Sequence, residues 1–409
     1  MVSQAAGVMG QQMIALGQVW LVLVLTQDPL LVGLVSALQG IPVIGFSLLA
    51  GILADRYSKR RILLVAHTTL VALGLALGAL ALTGSVEVWL VLLLVFAIGS
   101  TLAVSMPARQ AFIVEMVGRA DVASAVGLFT ALFHAGGFVG PTLAGLVIAT
   151  LTVATGSGVV GTGAAIILSS MLWGSIVIGM LLIRDDDLYL HELDGPDRRR
   201  PSTLRDLFGA FQYLRTARPT LVTLVMAGSI AAVAANYPVL VPVAGTEAGF
   251  GAGEVGFLLS LYAIGSLAAA LWIGLGGAAG PSVLVGGAVL LGLASLVFGV
   301  IGQPAIWPVL MFAAGLGSSI LRTATNARVQ FDSPGPVRGR VMSVYFLVFE
   351  GVTPLGGLLA GSIASVAGAH AAFAVSGVSA LILAAISARA ILTGRRPAAE
   401  PEPDPTGTA

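Results

Sequence analysis

The chain has 409 residues, of which 57% are hydrophobic and 10% charged, with a mean hydropathy of +0.99. Soluble domains carry roughly a quarter of their residues as charges, so an ordinary soluble fold is excluded and a polytopic membrane protein is indicated. The net charge of +1 reveals little, and the absence of cysteine excludes disulfides, thiolate metal sites and cysteine nucleophiles.

Apolar runs of about 20 residues, the length that crosses a bilayer core, are read at 3–25, 31–53, 62–82, 88–108, 122–149 and 162–183. After one long polar interruption, six more follow at 219–243, 254–276, 282–301, 305–326, 340–365 and 371–392. The expected fold is therefore all-α, with twelve transmembrane helices. A bundle at 1–183 and another at 219–393 are joined by a linker at 184–218 and followed by a tail at 394–409.

On the first span, Gln4, Gln11 and Gln18 recur every seven residues and so share one helical face. Between spans two and three, Gly51-Ile52-Leu53-Ala54-Asp55-Arg56-Tyr57-Ser58-Lys59-Arg60-Arg61 packs its charges into a short stretch that hydrocarbon does not tolerate, so it is an interfacial loop. Gly51 permits close helix approach, Asp55 suits free N–H groups at a helix end, and Arg56, Arg60 and Arg61 hold the loop in the cytoplasm. A simple topogenic basic loop is the plainer alternative. Span four carries Ser100 and Ser105 and ends near Arg109; span five carries His134 and the run Gly136-Gly137-Phe138-Val139-Gly140-Pro141-Thr142-Leu143-Ala144-Gly145. In that run Pro141 removes a helix hydrogen bond, while Gly136, Gly140 and Gly145 remove bulk, which favours a bend or close packing.

The linker contains Thr203 and Asp206 in an N-cap pattern, with Leu204, Leu207, Phe208, Phe211 and Leu214 on one face. It is expected to include a helix lying along the membrane surface. The tail, rich in Pro, Ala and acid, is expected to be disordered. In the second half, Asn236 and Tyr237 on span seven and Ser318, Ser319 and Arg322 on span ten are polar groups within or beside hydrocarbon. Small hydroxyls equally bond their own backbone. Arg109 and Arg322 either meet an anionic substrate or snorkel to the interface. Glu350 is the only acid deep in a predicted span: it is either a proton carrier or a structural hydrogen-bonding group, and His134 likewise either titrates or packs. Met13, Met226 and Met311 are expected in an adaptable apolar cavity, and Trp89 and Trp307 in an aromatic belt.

With both termini in the cytoplasm, all 20 Lys and Arg residues fall on the cytoplasmic side, while outer loops carry only acids such as Asp28, Glu87, Glu247 and Glu254. The halves also repeat in parallel. Asp28-Pro29-Leu30-Leu31-Val32-Gly33 opens span two as Gly251-Ala252-Gly253-Glu254-Val255-Gly256 opens span eight, and Gly140-Pro141 echoes Thr353-Pro354.

The Gly51 to Leu63 loop, the Gly136 to Gly145 run and the pair Pro107-Ala108-Arg109-Gln110-Ala111 and Arg338-Gly339-Arg340-Val341-Met342-Ser343 resemble the major facilitator superfamily of transporters, in the branch of macrolide efflux proteins and the enterobactin exporter. Ala144 stands where a second Gly is usual in the superfamily's antiporter motif. The resemblance implies two pseudo-symmetric six-helix bundles that rock about a central site, with helices 1, 4, 7 and 10 lining it. It also implies that the Asp55 loop latches the cytoplasmic side against helix 11. Chains of this kind usually begin with a few polar residues, whereas here the first apolar segment starts at Met1.

No Walker A sequence, metal-spaced His cluster or Ser-His-Asp set is visible, so no enzyme activity, metal or cofactor is expected, and the power source would be a proton gradient. The expected function is export of a small amphipathic compound, such as a drug, siderophore or secondary metabolite. A facilitator, an importer and a non-transporting sensor are the alternatives. The expected setting is the bacterial inner membrane, as a monomer whose partners are the bilayer and a small-molecule substrate, with no nucleic acid.

Overall fold

The structure, a computed structural model, describes residues 2–183, 209, 212–276 and 280–393. Among them, eleven helical stretches are long and apolar enough to cross a membrane. The last, Val337–Leu392, has 56 residues, about 84 Å as a straight helix against a hydrocarbon core of about 30 Å. It turns at Gly368, where φ is 83° and ψ 162°, and becomes two helices. The twelve helices are α1 Val2–Thr26, α2 Pro29–Arg56, α3 Lys59–Leu82, α4 Val88–Gly118, α5 119–155, α6 Gly158–Leu182, α7 Arg218–Glu247, α8 Ala252–Gly274, α9 Pro281–Ile301, α10 Trp307–Asp332, α11 335–367 and α12 369–393.

Local chemistry sets the joints. Asp28 caps α2 by accepting from the Leu30 N–H at 2.8 Å, with Pro29 at the first helical position, where a missing donor costs nothing. Gly118 joins α4 to α5 without an intervening loop because its φ of 70° is open to a residue lacking Cβ. The sequence reading ends α4 at 108 and begins α5 at 122, but both helices run through that interval. Pro107 sits within α4 rather than stopping it. Conversely, α7 is read as continuous but breaks into Arg218–Ala234 and Tyr237–Glu247. Pro238 cannot donate to the Ala234 carbonyl and its ring crowds that oxygen, and the Asn236 side-chain amide donates to the Ala232 carbonyl at 2.5 Å instead.

Helices α1–α6 pack as one bundle and α7–α12 as a second. Loops alternate between two ends, and every described Lys and Arg lies toward the end that holds the 57–58 turn, here called the basic end. The second bundle has an aromatic interior: Phe298 lies 4.2 Å from Phe373 and 4.6 Å from Trp307, and Tyr237 stacks on Tyr262 at 5.2 Å. Trp307 is thus fully buried rather than a belt residue, because it packs on α9 and α12; Trp89 is exposed and bonds Glu87. Met13, Met226 and Met311 are also corrected. All three are buried, at 1%, 1% and 0% exposure, filling gaps between helices rather than lining a cavity.

The surface-helix expectation for 203–214 falls outside the described residues except at 209 and 212–214, the latter part of a helical turn at 212–216. That turn is tied to the second bundle, since the Tyr213 hydroxyl donates to the Asp332 carbonyl at 3.2 Å. Burial and the Asp332 charge push the Tyr213 phenol above its ordinary pKa. The tail also lies outside the described residues.

Candidate functional site

The two bundles meet mainly through α2 with α11 and α5 with α8, and the contacts are backbone-close. A Cβ on Gly33 would lie 2.6 Å from the Gly357 carbonyl oxygen, and one on Gly40 would strike the Pro354 ring. Across the other seam, a Cβ on Gly145 would strike the Ala252 carbonyl and one on Gly256 the Pro141 carbonyl. Small residues matter here because lipid supplies no hydrophobic drive between helices, so close van der Waals approach must hold them. Two sequence repeats thereby meet one another: the Pro141 region of α5 faces the start of α8, and its counterpart at Pro354 faces the start of α2. Ser260 adds a polar stitch, its hydroxyl 2.5 Å from the Phe138 carbonyl and 2.7 Å from the Thr142 hydroxyl.

These contacts occupy the half of the molecule remote from the basic end. Helix α10 and the segment Gly335–Phe346, which reach toward the basic end, make their principal contacts within their own bundle, and α3 does likewise. Among the described residues the bundles therefore meet at one end and part toward the other, leaving a central cleft that opens toward the basic end.

Several residues singled out from sequence flank this cleft. Arg322 is exposed, with its guanidinium 5.8 Å from the Phe349 ring centroid, and Arg109 is half-buried, 5.2 Å from that of Phe129. His134, half-buried on α5, is near enough to Arg322 of the opposite bundle for the two to interact electrostatically. Gly136 and Gly140 face α1, where added Cβ atoms would lie 2.8 Å from Val8 and 2.7 Å from Gln12, whereas Gly145 faces α8. The antiporter-like run is thus split between holding its own bundle together and closing the seam.

Others point elsewhere. Gln18 is 1% exposed and accepts from the Gln39 amide at 2.5 Å, inside the first bundle; Gln4 and Gln11 are half-buried. The Tyr237 hydroxyl bonds Ser295 at 2.9 Å within the second bundle, and buried Asn236 caps the broken turn of α7. Ser100 and Ser105 bond the carbonyls of Phe96 and Leu102 on their own helix, and Ser318 bonds Tyr262, while Ser319 is half-buried. Arg60 bonds the Met180 carbonyl at 3.2 Å, clamping α3 to the end of α6; Arg56 and Arg61 are exposed. Gly51 lies within α2, and the side chains of Asp55 and Glu350 lie outside the described residues. The backbone at Glu350 belongs to a π-helical segment, Leu347–Val352.

Two residues escaped the sequence reading. Glu115, 4% exposed, pairs with Lys59 at 3.0 Å and ties α4 to α3. Gln12, one position off the predicted stripe, lies where a Cβ on Gly137 would be 3.2 Å from its amide nitrogen and 3.5 Å from Ala263 of α8.

A family profile described as transmembrane secretion effector matches residues 1–402. The chain belongs to this family of the major facilitator superfamily. It is 24% identical over 380 residues to the staphyloferrin A transporter of Staphylococcus aureus, covering 90% of this chain and 89% of that one. It is also 25% identical over 379 residues to the enterobactin exporter of Shigella boydii, covering 91% and 86%. In fold it resembles the nucleoside transporter NupG, with a TM-score of 0.68 at 13% identity over 96% of this chain and 100% of the other. A bacterial homolog of the lysosomal transporter Spinster, inward-facing and unoccupied, matches with a TM-score of 0.69 at 15% identity over 97% and 98%. The protein is accordingly a multi-pass membrane transporter, and not an enzyme.

Proposed function

We propose that the protein exports a small amphipathic compound of siderophore, drug or secondary-metabolite type from the cytoplasm in exchange for protons. The observation that carries the proposal is the cleft: among the described residues it opens toward the basic end, and basic loops stay in the cytoplasm. In this state a substrate has access to the cleft from inside, and the relative that exports a siderophore supports outward transport. In this reading the protein is a monomer in which residues 1–183 and 219–393 move as two bodies about the cleft, joined by 184–218, with both termini in the cytoplasm of an inner-membrane protein. Asp55 latches α2 to the positive N-terminal end of α11 when the cytoplasmic side closes. Separation of that segment of α11 from the first bundle suits the unlatched state. Glu350 carries the proton: a π-segment frees backbone groups and commonly marks a functional position. Relatives that carry siderophores favour that substrate class.

The test uses everted vesicles from cells expressing the protein, in which the cytoplasmic face is outward. Uptake of a lipophilic dye or a siderophore, driven by acidifying the lumen and abolished by a protonophore, is the expected result. Uptake that ignores the protonophore would turn the reading toward a facilitator.

A further inference from the structure

Helix α8 packs three of its sides against protein and leaves a fourth uncovered. A Cβ on Gly256 would strike the Pro141 carbonyl of α5, and one on Gly265 the Phe312 carbonyl of α10. Ala252 and Val255, on a third side, are buried at 3% and 0% exposure. At about 100° per residue, Glu254 and Phe257 fall on the side opposite these two, and both are exposed. Along that side, at the end where the bundles meet, runs a groove of about 500 Å³. Leu146 and Ala149 of α5 line one flank, Pro304 and Pro308 at the start of α10 line the other, and Glu254 and Phe257 lie between. Both bundles thus contribute to it.

The depth of the groove matches one leaflet. Glu254 is the third residue of α8, at the headgroup level, whereas Leu146 lies nine residues inside the end of α5. That is a rise of about 14 Å against about 15 Å for half a hydrocarbon core. An apolar trough of this depth suits an acyl chain. Glu254 decides the headgroup. Its Oε2 accepts from the Gly251 N–H at 3.0 Å, which fixes the carboxylate at the rim. Among the described residues no Lys or Arg lies at this end, and Asp28, Glu87 and Glu247 add negative charge to it. An anionic headgroup is therefore repelled, and a primary ammonium, a compact charge with three donors, is attracted.

We propose that this groove binds a phospholipid with a primary-amine headgroup, its acyl chain against Leu146, Phe257 and Pro308 and its ammonium on Glu254. The lipid bridges the bundles where they meet, and it leaves when the α5/α8 seam parts.

The test is native mass spectrometry of the purified full-length protein in dodecyl maltoside, with dioleoyl phosphatidylethanolamine, phosphatidylglycerol and phosphatidylcholine added to separate samples at equal concentration. Phosphatidylethanolamine should be retained about three- to five-fold more than either of the others, the range of one solvent-accessible ion pair. Glu254→Gln keeps a side-chain oxygen for the Gly251 N–H, so the helix cap survives while the charge is lost; the preference over phosphatidylglycerol should vanish. Leu146→Trp fills the groove from an exposed position, and Gly145→Val parts the seam; each should lower phosphatidylethanolamine retention at least three-fold. All variants are first checked for a monodisperse elution profile.

Equal retention of the three lipids, or a preference unchanged in Glu254→Gln, would overturn the amine site. Retention unchanged in Leu146→Trp would mark the lipid as part of the general annulus and overturn the groove, and retention unchanged in folded Gly145→Val would overturn the bridge. A lipid-free dimer that Leu146→Trp dissociates would assign the groove to a second copy of the chain instead. None of these readouts depends on transport, so they stand or fall apart from the export reading.

Discussion

If the α5/α8 seam is a gate, a side chain inserted into it should force the end remote from the basic loops to open. Gly145→Val is the perturbation. Its Cβ would strike the Ala252 carbonyl oxygen and lie 3.0 Å from the carbonyl carbon and 3.2 Å from Gly253 Cα. All three obstacles are backbone, so no rotamer change relieves them, and the helices must separate. Overpacking of this kind costs roughly 1–3 kcal/mol. The cost falls on the closed seam alone, so the equilibrium shifts by roughly 5- to 150-fold toward opening there. The chain contains no cysteine, so Ser36→Cys, at the α2/α11 seam against Gly357, supplies a unique label site. Labelling by a membrane-impermeant maleimide from the face remote from the basic loops should accelerate at least five-fold in Gly145→Val. Gly127→Val is the control, since nothing lies within 4 Å of its Cβ. A folded Gly145→Val protein labelled at the parental rate would refute the gate.

Lys59→Met should lower the melting temperature more than Glu115→Gln, because the first strands a buried carboxylate while the second leaves a partly exposed ammonium to find water. The expected gap is about 1–3 kcal/mol, readable by thermal unfolding in detergent; the reverse order would contradict the geometry. Pro238→Ala should restore a donor to the Ala234 carbonyl and slow amide exchange at the break in α7, and unchanged exchange would locate the cause of the break elsewhere. Asp55→Asn should insert and fold normally yet reduce vesicle uptake by at least 10-fold, and full flux would remove the latch. Glu350→Gln should abolish the proton dependence of uptake while binding persists, and retained coupling would reduce Glu350 to a packing role.

Much of this architecture was legible because the bilayer imposes two sharp rules on sequence. A span needs about 20 apolar residues, and basic residues sort to one face; both rules act residue by residue, without knowledge of packing. What the rules cannot distinguish is lipid from protein interior, since both are apolar. Met13, Met226, Met311 and Trp307 were misplaced for that reason: hydropathy gives a buried methionine and a cleft methionine the same value. Glu115 was missed for another reason. Pro107 and Arg109 look like the end of a span, yet α4 continues for two more turns beyond the hydrocarbon, where a carboxylate is affordable once Lys59 arrives from α3. The π-segment at Leu347–Val352 depends on hydrogen-bond register, which side-chain periodicity does not encode.

The chemistry of the two ends differs in a way that bears on how such a molecule moves. The closed end is held by glycine-lined backbone contact at Gly33, Gly145, Gly256 and Gly361, an interaction that in lipid draws on dispersion and carries no large hydrophobic term. Such a seam is specific in register yet separable, because parting it exposes few large apolar side chains to water. The basic end instead bears Arg109 and Arg322 on opposing bundles, one half-buried and one exposed, each beside an aromatic ring. The two ends are in this sense held by different physics, tight backbone packing at one and side chains that reach water at the other, although the same pair of bundles forms both.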